Sequence, residues 1–208
     1  MSDNINIFFS GVTGKNLICM LNSNENTIKT WKYWCNKNKV DFVLSNNEEI
    51  DFKLLEKYDK IGLVSNQTMI KWNAKNVFDE FETDDFCGVL DTINFKKIYD
   101  EVKDYKNFDI SKYINTDVLF FGKKHIGIFR DLDIPINQSL QKNNISVKEL
   151  TQNWNLGGLV ERHFLSYNWQ LKENKTSFFI KYGDIWNLTN VNSDLKNQIW
   201  KVIGGQYK

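Results

Sequence analysis

The chain has 208 residues with 27 basic and 26 acidic side chains, interspersed; with almost no net charge and no clustered cations it lacks the footprint of a general nucleic-acid binder. Its 41% apolar content, with 7 Trp, 8 Tyr and 15 Phe, excludes disorder and is enough for a full core, so one domain over 1–208 is expected. There is no basic segment leading into an apolar run, no stretch of about 20 apolar residues, and no CxxC spacing among Cys19, Cys35 and Cys87, so a cytoplasmic protein with reduced thiols and no membrane span is expected.

The apolar run Asn16–Leu21 lies between Gly14 and Asn22-Ser23-Asn24 and reads as a buried strand. Residues 24–35 then read as a helix, because Ile28, Trp31, Trp34 and Cys35 share one face, with Ser23 or Asn24 as its cap. Further on, 40–44 is a strand, 52–58 a short helix and 60–64 a strand. Strands alternating with helices predict parallel βαβ units, whose ligands bind beyond the carboxyl ends of the strands. That directs attention to Met20–Asn24 and Ser65–Thr68. Next come a strand at 86–90, a helix around 95–105 and a strand within 113–121. After Pro135, the only proline, the pattern predicts helices at 147–154 and 158–164, a strand at 178–182 and a terminal helix over 193–203.

Several chemistries fail on spacing. Gly11-Val-Thr-Gly14-Lys15-Asn16 has the wrong glycine interval for a P-loop and lacks the hydroxyl after its lysine. The loop is also expected to precede the first strand, where a P-loop follows one. His125 and His163 show no zinc spacing, and there is no nucleophile elbow.

The stretch from Tyr58 to Phe81 carries the strongest signal. A Tyr58-Asp59 pair enters an apolar strand, a polar triad Ser65-Asn66-Gln67 follows, then a second apolar run and Asn76-Val77-Phe78 ahead of acidic residues. This resembles the central segment of GT-A glycosyltransferases, above all the small ones of large DNA viruses and phages. The Leu17–Asn24 strand with its Trp31/Trp34 helix, Phe86–Asp91 and Tyr113–Phe121 with Lys124-His125 match that family in order, over about residues 16–132. The resemblance implies an α/β fold, a mostly parallel twisted sheet flanked by helices. It implies transfer of a hexosyl or deoxyhexosyl group from a nucleotide-sugar donor, UDP-linked by analogy, to a hydroxyl of a glycan acceptor. Met20, Leu21, Asn22 and Asn24 would contact the nucleoside, Ser65, Asn66 and Gln67 the diphosphate, and Asp91, Asn115 and Glu161 the sugar. Glu161, after the paired glycines Gly157-Gly158, matches loops that carry the acceptor base, which must stand within about 3 Å of the attacking hydroxyl.

One departure bears on mechanism. The family holds Mn²⁺ or Mg²⁺ with an Asp-x-Asp motif, hard carboxylates suited to a hard cation. Ser65 and Gln67 are uncharged. Three readings stay open: a metal-free enzyme using a cation such as Lys71 or Arg162; carboxylates supplied by Asp131 and Asp133 or by Glu82, Asp84 and Asp85; or an inactive relative that keeps the fold and binds. Asp117, where the family has glycine, is a second departure. Trp154, Tyr167 and Trp169 are candidates for a sugar platform or for core.

Overall fold

Strand β2 (Asn16–Leu21) is apolar on both faces because it lies in the middle of a sheet. In a computed structural model that describes residues 5–8, 15–21, 24–45, 51–91, 95–105, 108–130, 134–157 and 182–208, it pairs in parallel with β3 (Asp41–Ser45) and β4 (Lys60–Ser65). The sheet continues through β7 (Ile114–Gly122) to β6 (Phe86–Leu90) and β8 (Val147–Glu149), and ends on the other side with β1 (Ile5–Phe8) beside β3. β7 is antiparallel to both β4 and β6, so β6 and its parallel partner β8 run with β2, β3 and β4. Five of the seven strands therefore point one way, with β1 and β7 opposed. The expected mostly parallel α/β sheet is what forms.

Side-chain alternation sorts the core into two layers. Ile18, Met20, Val64, Val118 and Phe120 face α1 (Glu25–Asn38), whose Trp31 and Trp34 are completely buried. Leu17, Cys19, Leu63, Leu119 and Phe121 face α2 (Phe52–Leu55), the 3₁₀ stretch Lys123–Arg130 and α4 (Ile136–Lys142). A short α3 (Phe95–Val102) packs Ile98 and Val102 against Tyr113. Gly62 keeps the first layer tight: a Cβ there would stand 2.6 Å from Ile18 Cδ1 and 2.8 Å from Phe120 Cε1.

A second, two-stranded sheet joins β5 (Thr68–Ile70) to β9 (Ile185–Asn187), antiparallel. The helix α5 (Ser193–Ile203) covers it through Leu195, Ile199 and Ile203, packed with Met69, Trp186 and Leu188. The C-terminal part of the chain is thereby brought over the segment that follows β4. No helix among the described residues is long and apolar enough to cross a membrane.

Three expectations are corrected. Residues 147–154 were expected to be a helix, since Val147, Leu150 and Trp154 repeat at helical spacing. The open edge of β6 instead captures Val147–Glu149 as a strand, with Leu150 N donating to Gly88 O at 2.9 Å, and Gln152–Asn155 forms a 3₁₀ turn. The helix expected over 52–58 stops at Leu55. β1 precedes Gly11–Gly14, so that loop does not lead the first strand; the mismatch of spacing with a P-loop stands. The helix expected at 158–164 and, apart from Tyr182, the strand expected at 178–182 lie outside the described residues.

Candidate functional site

Leu21 and Ser65 stand opposite each other at the carboxyl ends of β2 and β4. Beyond Ser65 the chain turns through Asn66 and Gln67 into β5, and polar groups within the turn hold it. Thr68 Oγ1 donates to Ser65 O at 2.8 Å, Gln67 N to Ser65 Oγ at 3.2 Å, and Gln67 Nε2 to Asn66 Oδ1 at 2.8 Å. The buried Trp31 indole reaches up from α1 and donates to Thr68 O at 3.1 Å. Gln67 O accepts from Leu188 N at 2.9 Å, tying the turn to the residue after β9.

A polar cavity of about 250 Å³ opens beside this turn, lined by Asn24, Asn66, Gln67, Ser193, Lys196 and Asn197 among others. It sits between the starts of α1 and α5. Each start is capped by its own asparagine: Asn24 Oδ1 accepts from Asn26 N at 3.1 Å and Asn192 Oδ1 from Leu195 N at 2.9 Å. Lys196 Nζ donates to Gln67 Oε1 across the cavity. Partial burial disfavours its ammonium and lowers its pKa.

A second polar group forms along the same rim. Asn115 Nδ2 donates to Asp91 Oδ2 at 3.2 Å, and Asn115 Oδ1 accepts from Asp117 N at 2.9 Å. Asp117 Oδ2 accepts from Asn187 Nδ2 at 2.8 Å and Thr189 Oγ1 at 3.0 Å. Asn187 also donates to Asn155 Oδ1 at 3.1 Å, and the buried Asn155 Nδ2 has no hydrogen-bond partner among the described residues. Val64 pairs with Val118 across β4 and β7, so the next step of that antiparallel register sets Asp117 across from Ser65. The two groups adjoin there.

No family model matches this sequence and no curated protein matches it. Solved structures do. A glycosyltransferase involved in the glycosylation of the major capsid of PBCV-1 is similar with a TM-score of 0.53 at 9% identity, over 89% of this chain and 98% of that one. The galactosyltransferase LgtC, solved with donor and acceptor sugar analogs, gives a TM-score of 0.49 at 10% identity, over 91% and 95%. The fold is of the GT-A glycosyltransferase type.

Within that GT-A fold the sequence-predicted residues fall as follows. Asn24, Asn66 and Gln67 line one cavity, with Ser65 beside them. Leu21 is their neighbour across the strand pair, whereas the Met20 side chain belongs to the core with Ile18. Asp91 and Asn115 are joined by a hydrogen bond further along the rim, outside the lining of that cavity. Asn22, Glu161, Arg162, Asp131, Asp133, His163, Tyr167 and Trp169 lie outside the described residues. Trp154 is buried in the core. Lys71 is buried past β5 and does not line the cavity. Lys196, Asn155, Asn187 and Thr189 escaped sequence reasoning. They carry no motif, and Lys196 is 129 positions from the glutamine it touches.

The donors of this turn are poorly suited to the metal ion of the GT-A pattern. Ser65 Oγ already accepts a backbone N–H, and Gln67 Oε1 accepts from an ammonium group. A divalent ion at the same oxygen would meet that positive charge with no carboxylate from the turn to offset it. The turn therefore does not fit a metal. Glu82, Asp84 and Asp85 sit before β6, at the opposite rim from Asp91, and Asp84 and Asp85 pair with Lys124 and Lys148 at 3.1 and 3.2 Å. Among the described residues no three of His, Cys, Asp and Glu are grouped so that they could hold a metal ion. His125 is structural, its Nε2 at 3.1 Å from Asp84 O and its ring edge-on to Phe86.

Proposed function

We propose that this protein is a glycosyltransferase that moves a sugar from a nucleotide-diphosphate sugar, UDP-linked, to a hydroxyl of a glycan acceptor without a divalent metal. The observation that carries this reading is the meeting of Leu21 with Ser65 at the sheet's carboxyl edge, beside a polar cavity lined by Asn24, Asn66 and Gln67. In this reading the backbone of Met20 with Leu21, Asn22 and Asn24 receives the nucleoside. Ser65, Asn66 and Gln67 donate hydrogen bonds toward the diphosphate. Asp91 and Asn115 orient the sugar, and Asp91 or Glu161 takes the proton of the attacking hydroxyl.

The test is incubation with a panel of UDP-sugars, scored for sugar release or transfer in EDTA and in Mn²⁺. Turnover that persists in EDTA supports the reading. Turnover that requires Mn²⁺ rejects its metal-free part. A second reading, a binding protein on the same fold, is favoured by the way Ser65, Asn66 and Gln67 bond to one another. Thermal stabilisation by a nucleotide sugar with no turnover under either condition selects it.

A further inference from the structure

We infer that Lys196 is the cation of the donor site, binding the phosphoryl groups of the ligand where a relative with carboxylates would use a metal ion. This deepens the proposed function and rests on it for the identity of the ligand.

Lys196 projects into the cavity beside Asn24, Asn66 and Ser193. Its acceptor among the described residues is Gln67 Oε1, a neutral oxygen. The ion pairs among the described residues all employ other cations, so no carboxylate there cancels its charge. An ammonium carries three N–H donors, and a single amide oxygen leaves two for a ligand. A cation that is partly desolvated and not neutralised attracts an anion strongly, because the local dielectric is below that of water. Phosphoryl oxygens suit such a point charge. Each asparagine cap satisfies one backbone N–H at its helix start, and among the described residues that line the cavity Lys196 alone carries a formal charge.

The side chain also explains the neutral turn. Gln67 offers Lys196 an oxygen that orients it without quenching it; a glutamate there would pair with the ammonium and repel phosphate. Lysine and the neutral turn therefore form one device, and a metal with paired carboxylates forms another.

The experiment is calorimetric titration of the whole protein in EDTA with uridine diphosphate, inorganic pyrophosphate and uridine as separate probes. Wild type binds both anions. Lys196→Met weakens both by about tenfold or more, the loss expected of a charge-assisted hydrogen bond, and leaves uridine unchanged. Lys196→Arg keeps most of the anion affinity. Gln67→Glu weakens both anions as well, and carries the test should Lys196→Met fail to fold. Undiminished uridine diphosphate affinity in folded Lys196→Met overturns the inference and leaves the nucleotide-sugar reading intact. Pyrophosphate binding that needs Lys196, with no binding of any nucleotide, overturns the reading and keeps the inference. Wild type that binds neither anion overturns the inference.

Discussion

Asn187 Nδ2 donates to Asp117 Oδ2 at 2.8 Å, fastening β9 to the start of β7 across 70 positions of sequence. The same carboxylate oxygen accepts from Thr189 Oγ1 at 3.0 Å. Asp117 thus anchors the small sheet, and α5 with it, to the large one. Asp117→Ala removes the acceptor for both donors and is expected to cost about 1–3 kcal/mol, the penalty for polar groups left without a partner. Urea denaturation of the variant checks this; an unchanged midpoint would mean that the apolar packing of Trp186 and Leu188 alone seats β9.

Trp31 supports the turn from below. Its indole N–H meets both Thr68 O and Thr68 Oγ1, at 3.1 and 3.2 Å, and Thr68 Oγ1 in turn holds Ser65 O. Trp31→Phe keeps an aromatic ring but leaves Thr68 O without this donor and opens a void beside it. We expect a loss of about 1–3 kcal/mol, with weaker nucleotide binding because Ser65–Gln67 lose their support. Denaturation and titration of one preparation measure both. Full nucleotide affinity at reduced stability would separate the turn from the site.

The pH dependence of anion binding follows from Lys196. Desolvation lowers its pKa, so the folded protein loses this ammonium at a lower pH than an exposed lysine would. Only the protonated form attracts phosphate. Affinity for uridine diphosphate should be full below that lowered pKa and fall as pH rises through it. In Lys196→Arg the fall should vanish, because guanidinium keeps its proton throughout. Titrations at stepped alkaline pH compare the two, and parallel curves would assign the dependence to another group.

The three cysteines are all buried. Burial pushes the Cys19 and Cys87 thiols up to about 12 and raises Cys35 well above its ordinary value. Since the thiolate is the nucleophile, none should react with Ellman's reagent in the native protein at mildly alkaline pH, and all three should react in guanidinium. A thiol that titrates rapidly without denaturant would show that its layer of the core opens.

Much of the large sheet was legible locally. Leu17–Leu21 is apolar throughout because its strand is central, and Trp31, Trp34 and Cys35 lie at helical spacing because one face of α1 is buried. The polar residues Asn24 and Asn192 start α1 and α5 by capping them. The order of these elements, with the turn after β4, was enough to place the rim at Leu21 and Ser65.

Partners distant in sequence were not legible. Val147, Leu150 and Trp154 have helical spacing, yet the free edge of β6 draws Val147–Glu149 into a strand, since pairing satisfies backbone groups that local preference cannot. Lys196 on Gln67 and Asn187 on Asp117 are contacts between segments with no motif in common. Residue type and periodicity determined the central strands and the helix that covers them, and that the turn after β4 carries no charge. Which cation faces that turn was decided by the tertiary structure alone, because an ammonium's partner depends on distance in space, and the packing of α5 over β5 and β9 sets that distance.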